Sequence, residues 1–414
     1  VASFPPGGRE PTLNAITCGN SVFLDTAAVY GGWLSAVEIA KGRVVQLLSV
    51  KSNVKKTPKR KAQYGLAIPP QKEELPKPDP NNFDLKRHLN HIEKGGIRFI
   101  SGTMAPAPAD GGDLESLTGA LNWYKRLQVE KVVIEPKYMG SRANLYLVAG
   151  HPDQTKLVSR NGWEVRRVAG VSDSDFAGWK NDLYLRYAAR GLLERFGDII
   201  IDGELMPWRA LGGSLIDREF SDYYALVKSE VGAVASSLAS SGVKLPAQVL
   251  PDLANRPAMI EQFAEVVRHF GKESLPYFEG FSILWAQKGG LLLDMPEDEA
   301  YRLVQSYGSW SGCITLDLGN MQEALAQADL KANTLKVARF EGIVVKPIDR
   351  KVAGETLDLA SPYYGQAVPP AMKVRNPWYL RIVYGYDFEE SNKYAGLCES
   401  KKIGGKARLS AREW

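Results

Sequence analysis

The 414-residue sequence holds only three cysteines, Cys18, Cys313 and Cys398, and they lie far apart. An odd and scattered set argues against a disulfide framework and a cysteine-rich zinc site, and fits a reducing, cytoplasmic setting. Histidine is almost as scarce, with four residues (His88, His91, His151, His269) and no H-E-x-x-H. His88 and His91 stand three apart beside Lys86 and Arg87 in an expected helix, where solvation or capping explains them better than a metal does. No apolar run approaches the roughly 20 residues that span a bilayer, so no membrane partner is expected. The opening Val-Ala-Ser-Phe-Pro-Pro has neither the basic nor the apolar region of a signal peptide. It also lacks Met, as a processed protein or a piece of a longer one would. A G-x-x-x-x-G-K-[ST] loop is missing, as are G-D-x-H and G-N-H metal motifs. Those absences exclude P-loop kinase chemistry and a two-metal phosphatase site within this sequence.

What is present is an ordinary soluble composition, 44% hydrophobic and 24% charged, with a formal net charge of +5. That mild excess permits a nucleic-acid partner without requiring one. The positive charge gathers in two runs, Lys51–Lys61 and Lys401–Arg412. Taken alone, each reads more readily as a solvated linker or tail. A Lys- and Pro-rich stretch ends in Leu75-Pro76-Lys77-Pro78-Asp79-Pro80, where proline at that density prevents regular structure. We therefore divide the chain into a β-rich piece at 1–50, a linker at 51–84, a main domain at 85–385 and a basic C-terminal segment at 386–414.

Strands are expected at Ser21–Leu24, Trp33–Ile39 and Val44–Val50 in the first piece. In the main domain the β-branched runs Val132–Ile134, Ile199–Ile201 and Gly342–Val345 read as buried strands, and Arg142–Val148 as a partly alternating one. A helix is expected over Leu114–Leu127. Helical spacing then fills about 217–270, which reads as a helical insertion between β-rich halves.

The chemistry concentrates at Glu135-Pro136-Lys137-Tyr138-Met139-Gly140-Ser141-Arg142, a K-x-x-G-x-R pattern at a strand end. Lysine is normally protonated, with a pKa of about 10.4, and becomes a nucleophile only in a special setting. A strand end holds Lys137 rigidly, Gly140 lets a backbone approach closely, and Arg142 offers a planar fork for ribose or phosphate. Alone the pattern is weak. It is followed by Ser159-Arg160-Asn161-Gly162, Asp202-Gly203-Glu204-Leu205-Met206-Pro207-Trp208, Phe278-Glu279-Gly280-Phe281-Ser282-Ile283-Leu284, Glu341-Gly342-Ile343-Val344-Val345-Lys346-Pro347 and Met372-Lys373-Val374-Arg375. Lys373 and Arg375, two apart on a strand, share one face.

In this order the six segments resemble the motif series of the covalent nucleotidyltransferases, which comprise DNA ligases, RNA ligases and mRNA capping enzymes. Together with Ser101–Pro106 and Tyr379–Gly385 they are similar to one branch, the ligase module of the bacterial polynucleotide kinase–phosphatase–ligase that repairs RNA. Residues 22–32 are similar to the closing strands of that enzyme's phosphatase module. The resemblance implies an α+β nucleotidyltransferase fold: two packed antiparallel-rich sheets, a helical insertion and an N-terminal β appendage.

It further implies an ATP-dependent RNA ligase. Lys137 would attack the α-phosphate of ATP to form lysyl-AMP, the AMP would pass to an RNA 5′-phosphate, and a 3′-hydroxyl would displace it. Lys373 and Arg375 would meet the charge building on the phosphoryl oxygens, and near Lys137 their like charge would favour its neutral, nucleophilic form. Glu204 and Glu341 would bind magnesium or manganese, or the ribose hydroxyls. Phe281, weighed evenly against Phe278, would stack on adenine. Arg142 and Arg160 would contact ribose, RNA end or phosphate, Lys346 would line the nucleotide pocket, and Glu135 would read the adenine amine. A 2′-O-methyltransferase subunit and kinase–phosphatase modules are the implied partners.

Rival functions share these motifs. DNA ligases and GTP-using capping enzymes carry an OB-fold after the last motif, and the 41 residues after Lys373 are too few for a five-stranded barrel if the chain ends where the sequence does. A nucleotide- or RNA-binding module without turnover, or an interaction scaffold, is disfavoured by the joint presence of Lys137, Glu204, Glu341 and Lys373.

Overall fold

The computed structural model describes residue 99, residues 102–413 apart from 161, 242–249, 273, 306–311, 355–366 and 401–402, and the backbone of four short strands before residue 50. The proline-rich linker, its basic run, His88 and His91 lie outside the described residues. The chain divides into two units, Val1–Asn81 and Asn82–Trp414. The first contains two antiparallel hairpins, β1 (Ile16–Cys18) with β2 (Ser21–Phe23) and β3 (Trp33–Glu38) with β4 (Arg43–Leu48).

The second unit begins with β5 (Ala105–Pro106) and α1 (Leu117–Arg126). The Ser116 hydroxyl caps α1 by accepting from Gly119 N at 3.1 Å, which places Leu114 and Glu115 outside the helix expected to include them. Then follow β6 (Lys131–Lys137), β7 (Ser141–Val148), β8 (His151–Ser159), α2 (Asp173–Ala188), α3 (Leu192–Phe196) and β9 (Ile199–Met206). A helical block spans α4 (Arg209–Ser214), a π-helical turn (Leu215–Phe220), α5 (Ser221–Ser241) and α6 (Leu250–Phe270). It forms the helical insertion, and it starts some eight residues before the expected position 217. The chain continues with β10 (Tyr277–Ala286), β11 (Gly290–Leu291), α7 (Glu297–Val304), β12 (Ile314–Asp317), α8 (Met321–Val337), β13 (Gly342–Pro347) and β14 (Met372–Arg375). It closes with α9 (Pro377–Tyr384), α10 (Ser391–Ser400) and α11 (Gly404–Arg412). Among the described residues no helix is long and apolar enough to cross a membrane.

Two five-stranded sheets form the body, in the orders β11-β10-β9-β7-β8 and β12-β6-β13-β14-β5. Every pairing is antiparallel except β14 with β5. Each sheet alternates, and the alternation assigns its two faces. Ala143, Leu145, Leu147, Ile199 and Ile201 pack on Phe176, Leu183 and Tyr187 of α2 and on Phe196 of α3. Val132, Ile134, Ile343, Val345 and Met372 pack on Leu121 and Tyr124 of α1 and Leu335 of α8. Period two then turns Arg142, Asn144, Asp202 and Glu204 of the first sheet away from their core. It does the same for Glu135, Lys137, Lys346, Lys373 and Arg375 of the second. The expected architecture of two antiparallel-rich sheets is thus observed, and almost every residue singled out for chemistry sits on the opposite face from the cores.

Candidate active site

Lys137 is the last residue of β6 and pairs in register with Gly342 at the start of β13. Its Nζ donates to Glu341 Oε2 at 2.8 Å, with the lysine side chain 13% exposed. Gly140 N donates to Glu204 Oε1 at 3.1 Å, so the carboxylate of β9 reaches the turn after the lysine. A Cβ on Gly140 would lie 2.5 Å from the Leu205 carbonyl oxygen and from Met206 Sδ. The glycine of the K-x-x-G pattern is therefore required by the approach of β9, where the sequence suggested approach to a ligand. Tyr379 of α9 closes the back of this turn, its hydroxyl 3.2 Å from Met139 Sδ.

Burial pushes Glu204 up to about 7; nearby Lys137 opposes the shift and the Glu341 carboxylate adds to it. Lys373 is pushed down to about 8 by burial, then by Arg375 and Lys137. Lys373 thus carries like-charge repulsion from Arg375 and Lys137, and Lys137 is paired with Glu341. Arg375 is not a free cation. Glu115, fully buried, accepts from its backbone N at 3.0 Å, from Nε at 2.9 Å and from Nη2. That pairing offsets the guanidinium charge and leaves Lys373 as the cation beside Lys137.

A second cluster lies along the same face. Lys346 Nζ is 2.8 Å from Glu135 Oε2 and 2.6 Å from Glu297 Oε1, and these two carboxylates raise its pKa against the cost of burial. Arg350 Nε is 3.2 Å from Glu297 Oε2. Arg142 presents its fork to Asp202, with Nε 3.1 Å and Nη2 2.6 Å from the two carboxylate oxygens. Arg142, Asp202, Glu297 and Lys346 line one side of a cavity of about 250 Å³, and Leu284 and Ala371 contribute to its apolar walls. Lys137, Glu341 and Lys373 are not among its lining residues.

Phe281 is stacked on Tyr138, ring centroids 5.9 Å apart at 19°, with Lys346 Nζ 5.9 Å from its centroid. Phe278 is fully buried in the core beneath α2. Of the two phenylalanines, Phe281 is the one near the polar groups. Arg160 stands at the margin, its Nη2 donating to Thr103 Oγ1 at 2.7 Å.

The structure therefore gathers Lys137, Glu204, Glu341 and Lys373 in one cluster and Glu135, Lys346 and Phe281 in another, with Arg142 between them. Sequence reading missed Glu115, Asp202 as a partner of Arg142, Glu297 and Tyr379. Glu115 and Glu297 stand beside a helix start, where an acidic residue is ordinarily an exposed complement to the helix dipole. Glu204 and Glu341 suit a hard divalent cation, since two neighbouring buried carboxylates share Lys137 as a nearby cation and burial still raises Glu204 to about 7. Among the described residues no group of three or more His, Cys, Asp or Glu is placed to hold a metal by itself. Such an ion would draw its remaining ligands from phosphate and water, as magnesium commonly does.

The model of the PNKP adenylyltransferase domain, ligase domain, matches residues 91–414. No match is found among curated proteins. Among solved structures, a chain of the Pnkp1/Rnl/Hen1 complex is 25% identical, with a TM-score of 0.62, covering 81% of this chain and 89% of that one. A chain of the Pnkp1/Rnl/Hen1 RNA repair complex is also 25% identical, with a TM-score of 0.60, covering 80% and 89%. The family match covers more than three quarters of the sequence and includes both polar clusters, so the chain belongs to the PNKP ligase family and is a nucleotidyltransferase of the polynucleotide-ligase class.

Proposed function

We propose that this protein seals RNA with ATP, and that Lys137 carries the nucleotidyl group as a lysyl-AMP phosphoramidate. The observation that carries the reading is the position of Lys137: at a strand end, almost buried, held at 2.8 Å by Glu341 and adjoined by a second lysine short of compensating charge. In the first step the Nζ lone pair forms a bond to the α-phosphorus. The bond to pyrophosphate breaks, and the nitrogen loses a proton toward the Glu341 carboxylate that already accepts from it. Lys373 meets the negative charge that grows on the phosphoryl oxygens, an effect usually worth 10²–10³ in rate. Arg375, held by Glu115, keeps the end of β14 in place and adds a more screened positive charge.

The AMP then moves to an RNA 5′-phosphate, and a 3′-hydroxyl displaces it to close the strand. Glu204 and Glu341 would hold magnesium or manganese, which when bound supplies charge neutralisation at the triphosphate. Phe281 supplies the stacking ring for adenine. Lys346 and Glu135 shape the nucleoside end of the site. Arg142 and Arg160 face the ribose and the RNA end. The presence of both solved relatives in a Pnkp1/Rnl/Hen1 complex supports an assembly in which a methyltransferase subunit and kinase–phosphatase modules accompany the ligase.

The test is incubation with α-labelled ATP and magnesium or manganese, followed by denaturing electrophoresis. Label should stay on the wild-type chain and vanish entirely in Lys137→Ala. Absence of label with both metals, once intact mass has excluded prior adenylylation, would defeat the reading. Label without sealing would retain the first step and point to a missing partner.

A further inference from the structure

Arg142, Asp202 and Lys346 on the cavity wall belong to the sequence motifs. Glu297 does not. It opens α7 after Pro296, in the acidic stretch Asp294-Met295-Pro296-Glu297-Asp298-Glu299. Of the other acids in it, the Asp294 side chain is 85% and Glu299 48% exposed, while Asp298, 14% exposed, pairs with Arg302. Glu297 is turned inward and its side chain is 5% exposed. A buried carboxylate is costly unless cations and donors surround it. Here Lys346 lies at 2.6 Å, Arg350 at 3.2 Å, and the Ser282 hydroxyl donates at 3.3 Å. All four residues line the cavity.

The charged groups of the cavity wall are paired. Lys346 is matched by Glu135 and Glu297, Arg142 by Asp202 and Lys351 by Asp294, while the Glu413 carboxylate accepts from Thr103 N at 2.6 Å. Arg350 also donates to the carbonyl oxygens of Ile283 at 3.0 Å and Leu292 at 2.8 Å. A phosphate would find its cations already engaged, whereas a neutral group with apolar faces and a few hydrogen-bond donors would fit. The volume, about 250 Å³, lies just below the roughly 300 Å³ at which drug-sized ligand pockets begin. That is the scale of a nucleoside. A carboxylate is acceptor-only and has room for about four hydrogen bonds, so Glu297 can still accept from a ligand donor.

We propose that Glu297 is a specificity-determining residue: its carboxylate accepts a hydrogen bond from the nucleoside of ATP, either from a ribose hydroxyl or from the adenine amine. This rests on the ATP reading above. A base that presents a carbonyl oxygen in place of the amine would meet an acceptor with an acceptor, and a sugar without its hydroxyl would leave the carboxylate under-satisfied.

The test compares wild type with Glu297→Gln, using ATP, 2′-deoxy-ATP, 3′-deoxy-ATP and purine riboside triphosphate, with nucleotidylation of Lys137 followed by intact mass. The substitution should raise KM for ATP by about 10- to 100-fold, the usual weight of a hydrogen bond to a charged group, and kcat by far less. With the one analogue that lacks the recognised donor, wild type and variant should show the same KM. An equal loss with all four nucleotides would show that Glu297 merely holds Lys346, and would overturn the proposal. Should Glu297→Gln fail to fold by its melting curve, Glu297→Asp, which retains the charge one methylene back, carries the same four-way comparison. A wild-type chain that takes no nucleotide would sink the ATP reading itself, an outcome distinct from a uniform loss.

Discussion

Lys346 and Lys373 lie on adjacent strands of one sheet and point to the same face. Lys373 is opposite Val344 in register, so the two lysines are one strand over and two residues along from each other. Both are largely buried, yet their surroundings are opposite. Lys346 has two carboxylates within 2.8 Å, and they hold it firmly protonated. Lys373 has Arg375 and Lys137 as its strongest neighbours, and with burial they push it down to about 8. The pair shows that residue type and strand position do not fix a lysine's task. One is a satisfied part of the scaffold; the other is a cation held short of counter-charge, as a site awaiting phosphate would be.

Removing the two charges should therefore have contrary effects on the fold. Lys346→Met leaves Glu135 buried without its cation and Glu297 with Arg350 alone, a loss of about 3–5 kcal/mol of stability by analogy with broken buried pairs. Denaturant unfolding should show it as a large fall in midpoint. A midpoint within error of wild type would mean that water reaches these carboxylates, and the contrast with Lys373 would collapse.

Lys373→Met should lose about 100-fold in the rate of adenylylation, the usual weight of one electrostatic contact to a developing oxyanion. It should at the same time gain stability near neutral pH, on the order of 1–3 kcal/mol, because a buried like charge is gone. Loss of activity together with loss of stability would assign Lys373 to the scaffold, beside Lys346.

Much of this frame was legible in the sequence. Val132–Ile134, Ile199–Ile201 and Gly342–Val345 announced their strands because each run carries β-branched residues into the sheets, and the helical spacing near 217–270 announced the insertion. Helices α2 and α8 were not read at all. The buried positions of α8 include Ala324 and Ala328, and small residues make a faint apolar stripe. The lysines, carboxylates and Arg142 of the site were legible from spacing, since strand periodicity alone puts them on one face. Their partners were not. Glu115 meets Arg375 across 260 positions of sequence, and Asp202 meets Arg142 across 60, so pairings of this kind exist only once distant segments and strands have come together. Arg375 accordingly looked like a free cation, and Glu297 like one more solvated acid.

The smallest predicted effect is the most diagnostic, because it separates the two lysines by titration. A lysine lowered to about 8 loses its charge between pH 7 and 9, whereas Lys346, raised, does not. If the protonated form of Lys373 assists adenylylation, its contribution fades as pH rises through about 8. Lys373→Arg keeps its charge throughout that range. The ratio of variant to wild-type rate cancels the titrations that the two proteins share, and it should rise by up to about tenfold from pH 7 to pH 9. Stability carries the same signature with its own sign. Since the folded value lies below the unfolded value near 10.4, the unfolded chain binds more protons between pH 8 and 10.4, so wild-type stability gains from this group as pH rises across that window. Lys373→Met should lack that gain, because it has no group there to titrate. A flat activity ratio, together with a wild type and Lys373→Met of equal pH dependence in stability, would place Lys373 among ordinary paired lysines and erase the difference between the two strands.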